Sequence, residues 1–166
     1  GRECVQQMKD EEDANWRQME WPGFYFEMVG IARLVEALGG GPVRHANTTF
    51  DYGLDSAWDL KAHSFDRQAI PSKDVAILND AAAFDACFGA GRSLGFVVLT
   101  GQATTSETFG AWHRELAGTR QRAPGDDRPV RARKGTFEPY RLETFHLRDS
   151  DHLLAALAGG QIREYK

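Results

Sequence analysis

The residues best suited to chemistry lie in the stretch 50–65, which reads FDYGLDSAWDLKAHSF. Its part 56–63 alternates polar residues with small or apolar ones, and a period of two is typical of a β-strand. On such a strand Asp59, Lys61 and His63 point to a single face. A carboxylate, an ammonium and an imidazole side by side are unsuited to a core. The pattern therefore indicates a site.

A second carboxylate, Asp51, ends the preceding apolar run, and the residues 52–55 supply turn chemistry between the two segments. We predict a hairpin with Asp51 at the end of one strand and Asp59 and Lys61 on the next. Two carboxylates on adjacent strands suit Mg²⁺, which prefers oxygen ligands, and a nearby lysine can orient water or neutralise developing charge. The alternative is a solvated face whose Asp–Lys pair contributes little to stability.

Asp51 followed by Asp59 and Lys61 resembles the signature of the PD-(D/E)xK nuclease superfamily and is most similar to that of type II restriction endonucleases. The resemblance covers roughly residues 20–102, and Phe50 stands where many members carry a proline. It implies an α/β fold with a restriction-endonuclease-like core, in which a mixed central β-sheet is flanked by α-helices.

The resemblance also implies an activity, that of a Mg²⁺-dependent endodeoxyribonuclease which hydrolyses phosphodiester bonds of double-stranded DNA. Asp51 and Asp59 would be the metal ligands and Lys61 the group that orients water. Glu27 would be a further acidic residue from the helix before the hairpin, although a solvent-facing glutamate is an equal interpretation. The residues expected to support this site from farther out are Glu20, His63 and Gln102.

Alternative functions share much of this pattern. A DNA-binding module of the same fold that no longer cuts would carry a broken Asp–Asp–Lys set, and a repair or phage nuclease would keep it intact. An acid–base enzyme using His63 and Asp59 is a third interpretation, but the chain lacks a Gly-rich phosphate loop or a nucleophile elbow. By analogy with enzymes that cut both strands of a palindrome, we expect a homodimer.

Residues 118–135 are interrupted by Gly and Pro and hold a local excess of positive charge. We predict that this basic loop contacts DNA phosphates or bases, with a solubilising linker as the alternative. The cations concerned are Arg120, Arg122, Arg128, Arg131, Arg133 and Lys134.

Composition sets broader limits. The 166 residues predict one domain, 1–166, and the net charge of −4 with a pI near 5.7 gives no overall signal for nucleic acid. Two cysteines are too few for a disulfide framework and point to a reducing compartment. The sequence has no apolar run of membrane-spanning length and no signal peptide at its start, so we expect a cytoplasmic protein without a membrane partner.

Periodicity and capping residues predict an alternation of helices and strands around the hairpin. A first helix is expected over residues 1–20 and a second, largely buried one begins at Pro22. The remaining predicted segments are strands at 43–51, 73–78, 93–100, 136–147 and 162–165, with helices at 81–88, 107–116 and 150–158.

Overall fold

The computed structural model describes residues 1–45, 47–65, 76–77, 81–118, 133–160 and 162–163. Within these residues the chain forms five α-helices, one 3₁₀ turn and seven β-strands. In chain order they are α1 Arg2–Asp10, the 3₁₀ turn Ala14–Arg17, α2 Trp21–Leu38, β1 Gly41–His45, β2 Thr48–Gly53, β3 Ala57–Phe65, β4 Ala76–Ile77, α3 Ala81–Gly89, β5 Leu94–Ser106, α4 Glu107–Leu116, β6 Arg133–Leu147, α5 Ser150–Ala158 and β7 Ile162–Arg163.

Five of the strands form one sheet in the order β1-β2-β3-β5-β6. Neighbouring strands run antiparallel except β3 and β5, which are parallel, so the sheet is mixed. The two short strands β4 and β7 pair in parallel elsewhere. The predicted α/β class with a mixed sheet flanked by helices is therefore confirmed.

A first apolar core lies on the face of the sheet that carries Asp59. The register places Asp59 beside Phe96 and Phe96 beside Phe145, so all three side chains lie on this face. The helices α3 and α5 cover it. Its buried members are Phe50, Ala57, Ala83, Phe84, Cys87, Leu94, Phe96, Val98, Leu147, Leu153 and Ala156.

The opposite face of β3 packs against α2. Leu60 alternates with Asp59 along the strand, is only 1% exposed, and lies against Gly30 so closely that a Cβ there would be 2.5 Å from Leu60 Cδ2. A second apolar cluster joins α1, the 3₁₀ turn, α2 and α4, and its buried members are Val5, Met8, Trp16, Trp21 and Phe109. Helices thus cover both faces of the sheet around β3.

Local sequence explains where the helices begin. The Ser106 hydroxyl accepts a hydrogen bond from the Phe109 amide and starts α4, and the Asp149 carboxylate does the same for α5. Pro22 lies in the first turn of α2, where its missing N–H costs nothing, and Gly39 ends that helix at a φ of 76°. The predicted α4 and α5 are confirmed at these boundaries.

Three predictions need correction. The segment 43–51 is two antiparallel strands, β1 and β2. The helix over 1–20 ends at Asp10, after which Glu12 takes a φ of 59° and Asp13 caps the separate 3₁₀ turn. The helix α2 is not largely buried: Trp21 and Pro22 are its buried residues, because only one side of the helix meets the sheet and the second cluster.

In the part of the chain that the structure describes, none of the helices combines the length and the apolar character needed to cross a membrane.

The close approach of Trp58 to Gly95 gives a test of the sheet. The indole stacks on His146, with ring centroids 5.6 Å apart, and a Cβ at position 95 would overlap the indole. We expect Gly95→Ala to lower the free energy of unfolding by about 1–3 kcal/mol in urea denaturation, because a rigid ring must move.

Gly23→Ala is the matched control. Nothing lies within 4 Å of a Cβ at that position, and it is inside α2, so alanine should be neutral or stabilising by up to about 1 kcal/mol. Equal stability of the Gly95→Ala protein and the unsubstituted protein would contradict the stacking of Trp58 over β5.

Candidate active site

The candidate site forms where β2 and β3 separate. Their pairing consists of Tyr52 with Trp58 and Gly53 with Ala57. Beyond these pairs the Asp51 carboxylate occupies the space between the strands, and its Oδ2 accepts a hydrogen bond from the Leu60 amide at 2.6 Å. The Asp51 carboxylate thus takes the place of the backbone acceptor that a paired strand would offer to Leu60. Asp51 is therefore held by the backbone of β3, the strand that carries Asp59 and Lys61.

Asp59 and Lys61 lie two residues apart on one face of β3, as the sequence pattern predicted. Lys61 Nζ is 2.5 Å from Asp59 Oδ2, and the two side chains are 27% and 19% exposed. Asp51 is within hydrogen-bonding reach of the Asp59 carboxylate. The pair is therefore largely covered and joined to a further acid, unlike an isolated surface ion pair.

Glu27 reaches this group from α2. Burial raises the pKa of Glu27 to about 7, and the negative charge of Asp51 adds to the shift, while the positive charge of Lys61 opposes it. The sequence left open whether Glu27 faces the site or solvent. The structure supports a half-buried glutamate close to Asp51 and Asp59.

The charges of the cluster act on each other's protonation. Burial raises the pKa of Asp51 to about 6 against the opposing effect of the Leu60 hydrogen bond, and the charge of Asp59 raises it further. Burial by itself would lower the pKa of Lys61, but the attraction of Asp59, Asp51 and Glu27 outweighs it and raises that pKa. Lys61 is consequently an ammonium, while Glu27 and Asp51 gain protons more readily than isolated carboxylates.

His63 continues the same face of β3 beyond Lys61. It is opposite Thr100 in the register, and burial together with the charge of Lys61 lowers the pKa of its imidazole. The side chain is therefore neutral near neutral pH and adds a polar but uncharged group to the row.

The other two supporting residues have different surroundings. Glu20 immediately precedes α2 and forms an ion pair with Lys134, which ties the start of that helix to β6. Gln102 lies on β5, opposite Phe65 and Glu138 in the register, which is beyond the Lys61 end of the row. The geometry gives Glu20 a structural contact and leaves the role of Gln102 a prediction.

The predicted basic loop needs a correction at its end. Arg133 and Lys134 belong to β6 rather than to a loop, while Arg120, Arg122, Arg128 and Arg131 are outside the described residues. Arg133 Nη1 donates a hydrogen bond to His113 Nδ1 at 2.8 Å, and Lys134 pairs with Glu20. Both side chains therefore have structural partners of their own.

His113 is a buried residue that the sequence did not reveal as structural. It is fully buried on α4, and its Nε2 donates to the Trp16 carbonyl at 2.8 Å while its Nδ1 accepts from Arg133. Since a guanidinium only donates, the imidazole is the neutral Nε2–H tautomer, and burial lowers its pKa. Its partners Trp16 and Arg133 lie 97 and 20 residues away in the chain, so no local sequence pattern predicts these hydrogen bonds.

Comparison with protein family models, with curated proteins and with solved structures finds no significant match to this chain.

The described residues of the candidate site offer oxygen donors of the type that bind a metal ion but not a complete set of ligands. Among the described residues, no three His, Cys, Asp or Glu side chains are arranged as a set that could hold one. Asp51 and Asp59 nevertheless offer adjacent carboxylate oxygens, and Glu27 adds negative charge near them. Hard oxygen donors in a cluster of excess negative charge suit a divalent cation such as Mg²⁺, so the two aspartates fit it in chemical type.

The raised pKa of Glu27 predicts a pH-dependent cost in stability. In the unfolded chain the pKa is near 4.5, and in the folded protein it is about 7, so the folded state prefers the protonated acid. The contribution of Glu27 to the free energy of unfolding is therefore lost progressively as the pH rises from 4.5, its unfolded pKa, to about 7, its folded pKa. After allowance for solvent screening, we expect Glu27→Gln to raise the free energy of unfolding by about 1–2 kcal/mol at alkaline pH and by little at acidic pH.

Glu36→Gln is the control on the same helix. Glu36 is exposed and pairs with Arg33 across one helical turn, which contributes only a few tenths of a kcal/mol, so its removal should be nearly neutral at every pH. Denaturant unfolding across the pH range measures both variants. Unchanged stability of the Glu27→Gln protein at alkaline pH would show that Glu27 faces solvent, and lower stability would show that it has a favourable partner.

Proposed function

We propose that the protein is a Mg²⁺-dependent endodeoxyribonuclease that hydrolyses phosphodiester bonds of duplex DNA, with a restriction-endonuclease-like core most similar to type II restriction enzymes. One observation carries the proposal: Asp51 is held against the backbone of β3 beside Asp59 and Lys61, Lys61 is paired with Asp59, and Glu27 on α2 lies near enough to act on the charges of all three. The residues of the signature are thus joined in space.

Asp51 and Asp59 are the residues that would hold Mg²⁺. The ion supplies polarisation of the phosphoryl oxygen, ionisation of a bound water and neutralisation of the leaving oxygen. For this chain the consequence is electrostatic: two adjacent carboxylates repel each other, and one of them carries a pKa raised to about 6. A cation between them would favour the ionised form of both.

Lys61 has the role of an electrostatic partner for the reacting phosphate. Because the surrounding carboxylates raise its pKa, it holds its proton and does not act as a base. Its ammonium can orient water beside Asp59 and stabilise negative charge that accumulates on the phosphate in the transition state. Without the Lys61 ammonium, the negative charges of the neighbouring carboxylates would repel an anionic substrate.

The proposal that the substrate is duplex DNA rests on the resemblance to the nuclease signature and on the basic loop, residues 118–135. With a net charge of −4, contact with phosphates requires a local concentration of cations. Since Arg133 and Lys134 contact His113 and Glu20, the arginines assigned to DNA are the four that precede them in the segment. They are Arg120, Arg122, Arg128 and Arg131.

The nuclease chemistry predicts a specific pattern of loss. Asp59→Asn and Lys61→Met should each reduce cleavage of a supercoiled plasmid in Mg²⁺ by at least about 100-fold, because each removes a charge that acts on the reacting phosphate. Chelation of Mg²⁺ should abolish cleavage by the unsubstituted protein. Gel electrophoresis of plasmid forms measures the rate.

Asp55→Asn is the matched control, since Asp55 is an exposed acid in the turn between the same two strands. Its cleavage rate should equal that of the unsubstituted protein. DNA binding without cleavage by the unsubstituted protein would favour the alternative, a catalytically silent DNA-binding module of the same fold. Cleavage that survives Asp59→Asn would remove the assigned site.

The basic segment gives a separate prediction on binding. Arg131→Ala should weaken binding to duplex DNA and reduce the salt slope of log affinity by about one unit, since one phosphate contact is lost. Arg133→Ala should instead lower protein stability, because it leaves the buried His113 without its Nδ1 partner. Fluorescence anisotropy against salt and thermal unfolding distinguish the two. An unchanged slope for Arg131→Ala together with unchanged slopes for the other three arginines would place DNA elsewhere.

A further inference from the structure

The strand β5 changes from apolar to polar where it passes the candidate site. Its side chains on the Lys61 face are, in chain order, Phe96, Val98, Thr100 and Gln102. Phe96 and Val98 are buried members of the first apolar core, and Thr100 is the next residue on this face, only 3% exposed. A hydroxyl is therefore buried where the apolar core meets the polar row of β3.

The Thr100 hydroxyl has no hydrogen-bond partner among the described residues. Its Oγ1 atom is closed off from solvent, and no group of the described chain donates a hydrogen bond to it or accepts one from it. A buried hydroxyl without a partner costs free energy, and valine would fill nearly the same space without that cost. Buried polar groups in proteins are nearly always bonded to a protein group or to an ordered water. Threonine at this position therefore indicates a small polar partner.

His63 is the polar side chain next to this hydroxyl. The two residues are paired in the register between β3 and β5, so their side chains stand on one face about 5 Å apart. No direct hydrogen bond joins them. A water between them would make hydrogen bonds of about 2.8–3.0 Å to each, which suits this spacing.

We propose that Thr100 is a positioning residue of the candidate site, which holds the His63 imidazole in one orientation and one tautomer through a single bound water. Neutral partners suit such a water. Burial and the charge of Lys61 lower the pKa of His63, so its ring has one N–H donor and one acceptor nitrogen. The water accepts from the N–H and donates to Thr100 Oγ1.

The charged groups around His63 decide which ring nitrogen carries the proton. Lys61 lies two residues away on the same face, about 6.6 Å along β3, and an ammonium only donates. The ring nitrogen on the side of Lys61 is therefore the acceptor, and the N–H is left for the water. On the far side of Thr100, Arg141 is paired with Thr100 in the register and its guanidinium contacts Glu143.

This arrangement restrains Lys61 from the side opposite Asp59. The ammonium has three N–H groups, of which one meets Asp59, and the acceptor nitrogen of His63 can take a second one directly or through water. Asp59, Lys61, His63 and Thr100 then form one hydrogen-bonded row. Its importance for the reaction rests on the proposed function, in which Lys61 must be held in place against the reacting phosphate.

The pKa of His63, followed by NMR during a pH titration, tests the link to Thr100. In Thr100→Val the protonated ring loses a hydrogen-bond partner for one N–H, so we expect the pKa to fall. The neutral ring should also become a mixture of tautomers. Thr100→Ser keeps the hydroxyl and should restore both properties. The chain has five histidines, and the signal lost in His63→Gln identifies His63.

Thr104→Val is the matched control, since Thr104 is an exposed threonine on the same strand. It should leave the pKa of His63 unchanged. If Thr100→Val also leaves this pKa unchanged and raises the midpoint of urea unfolding, the hydroxyl has no partner and the proposal is overturned. A high-resolution crystal structure should show the water within hydrogen-bonding distance of Thr100 Oγ1 and a His63 nitrogen. A protein group bonded to Oγ1 in its place would overturn the proposal.

Plasmid cleavage in Mg²⁺ tests the role in the reaction. Thr100→Val should lower kcat about tenfold with little change in KM, because Lys61 is held less firmly while the DNA contacts remain. Thr100→Ser should restore kcat. If the unsubstituted protein cleaves DNA and Thr100→Val has the same kcat, the role of Thr100 in the reaction is overturned. If the unsubstituted protein does not cleave DNA, the proposed function fails, and the pKa of His63 still decides whether Thr100 positions the imidazole.

Discussion

The hydrogen bond from the Leu60 amide to Asp51 is the contact on which the candidate site depends. It forms where the ladder between β2 and β3 stops, and it fixes one carboxylate against the backbone of the strand that carries Asp59 and Lys61. The Leu60 side chain is 1% exposed and lies against Gly30 of α2, the helix that supplies Glu27. One residue therefore couples three site elements to the core, so the site and the core are expected to be ordered together.

The cluster around Asp51 is a local conflict between stability and chemistry. Burial and mutual repulsion raise the pKa of Glu27 and Asp51, and a single lysine offsets the charge of three acids. A structure selected for stability alone would place apolar or neutral groups there. Natural proteins break local rules of this kind mainly where a function requires it, and this supports the assignment of the site more strongly than the spacing of Asp59 and Lys61 does alone.

The sequence predicted the elements whose causes are local. The helix at Glu107–Leu116 and the cap of α5 at Asp149 follow from neighbouring residues, and so does the alternation along β3. Long-range contacts were not predictable from local pattern, among them the bond of Asp51 to Leu60, and the position of Glu27 was left open between two equal interpretations. Gly135 suggested a loop, but it lies within β6, where its lack of a side chain lets the strand pass the Ser106 Cβ, which would be 2.7 Å from a Cβ at 135.

The stacking of Trp58 on His146 has a consequence for spectroscopy. Trp16, Trp21 and Trp112 all belong to the second apolar cluster, whereas Trp58 lies on β3 next to Asp59 in the chain and on the opposite face. Contact with the His146 ring sets the surroundings of the Trp58 indole, so the emission of Trp58 reports whether this stack is intact. The back of the candidate site therefore carries its own optical probe, which a ligand bound on the Lys61 face would not touch.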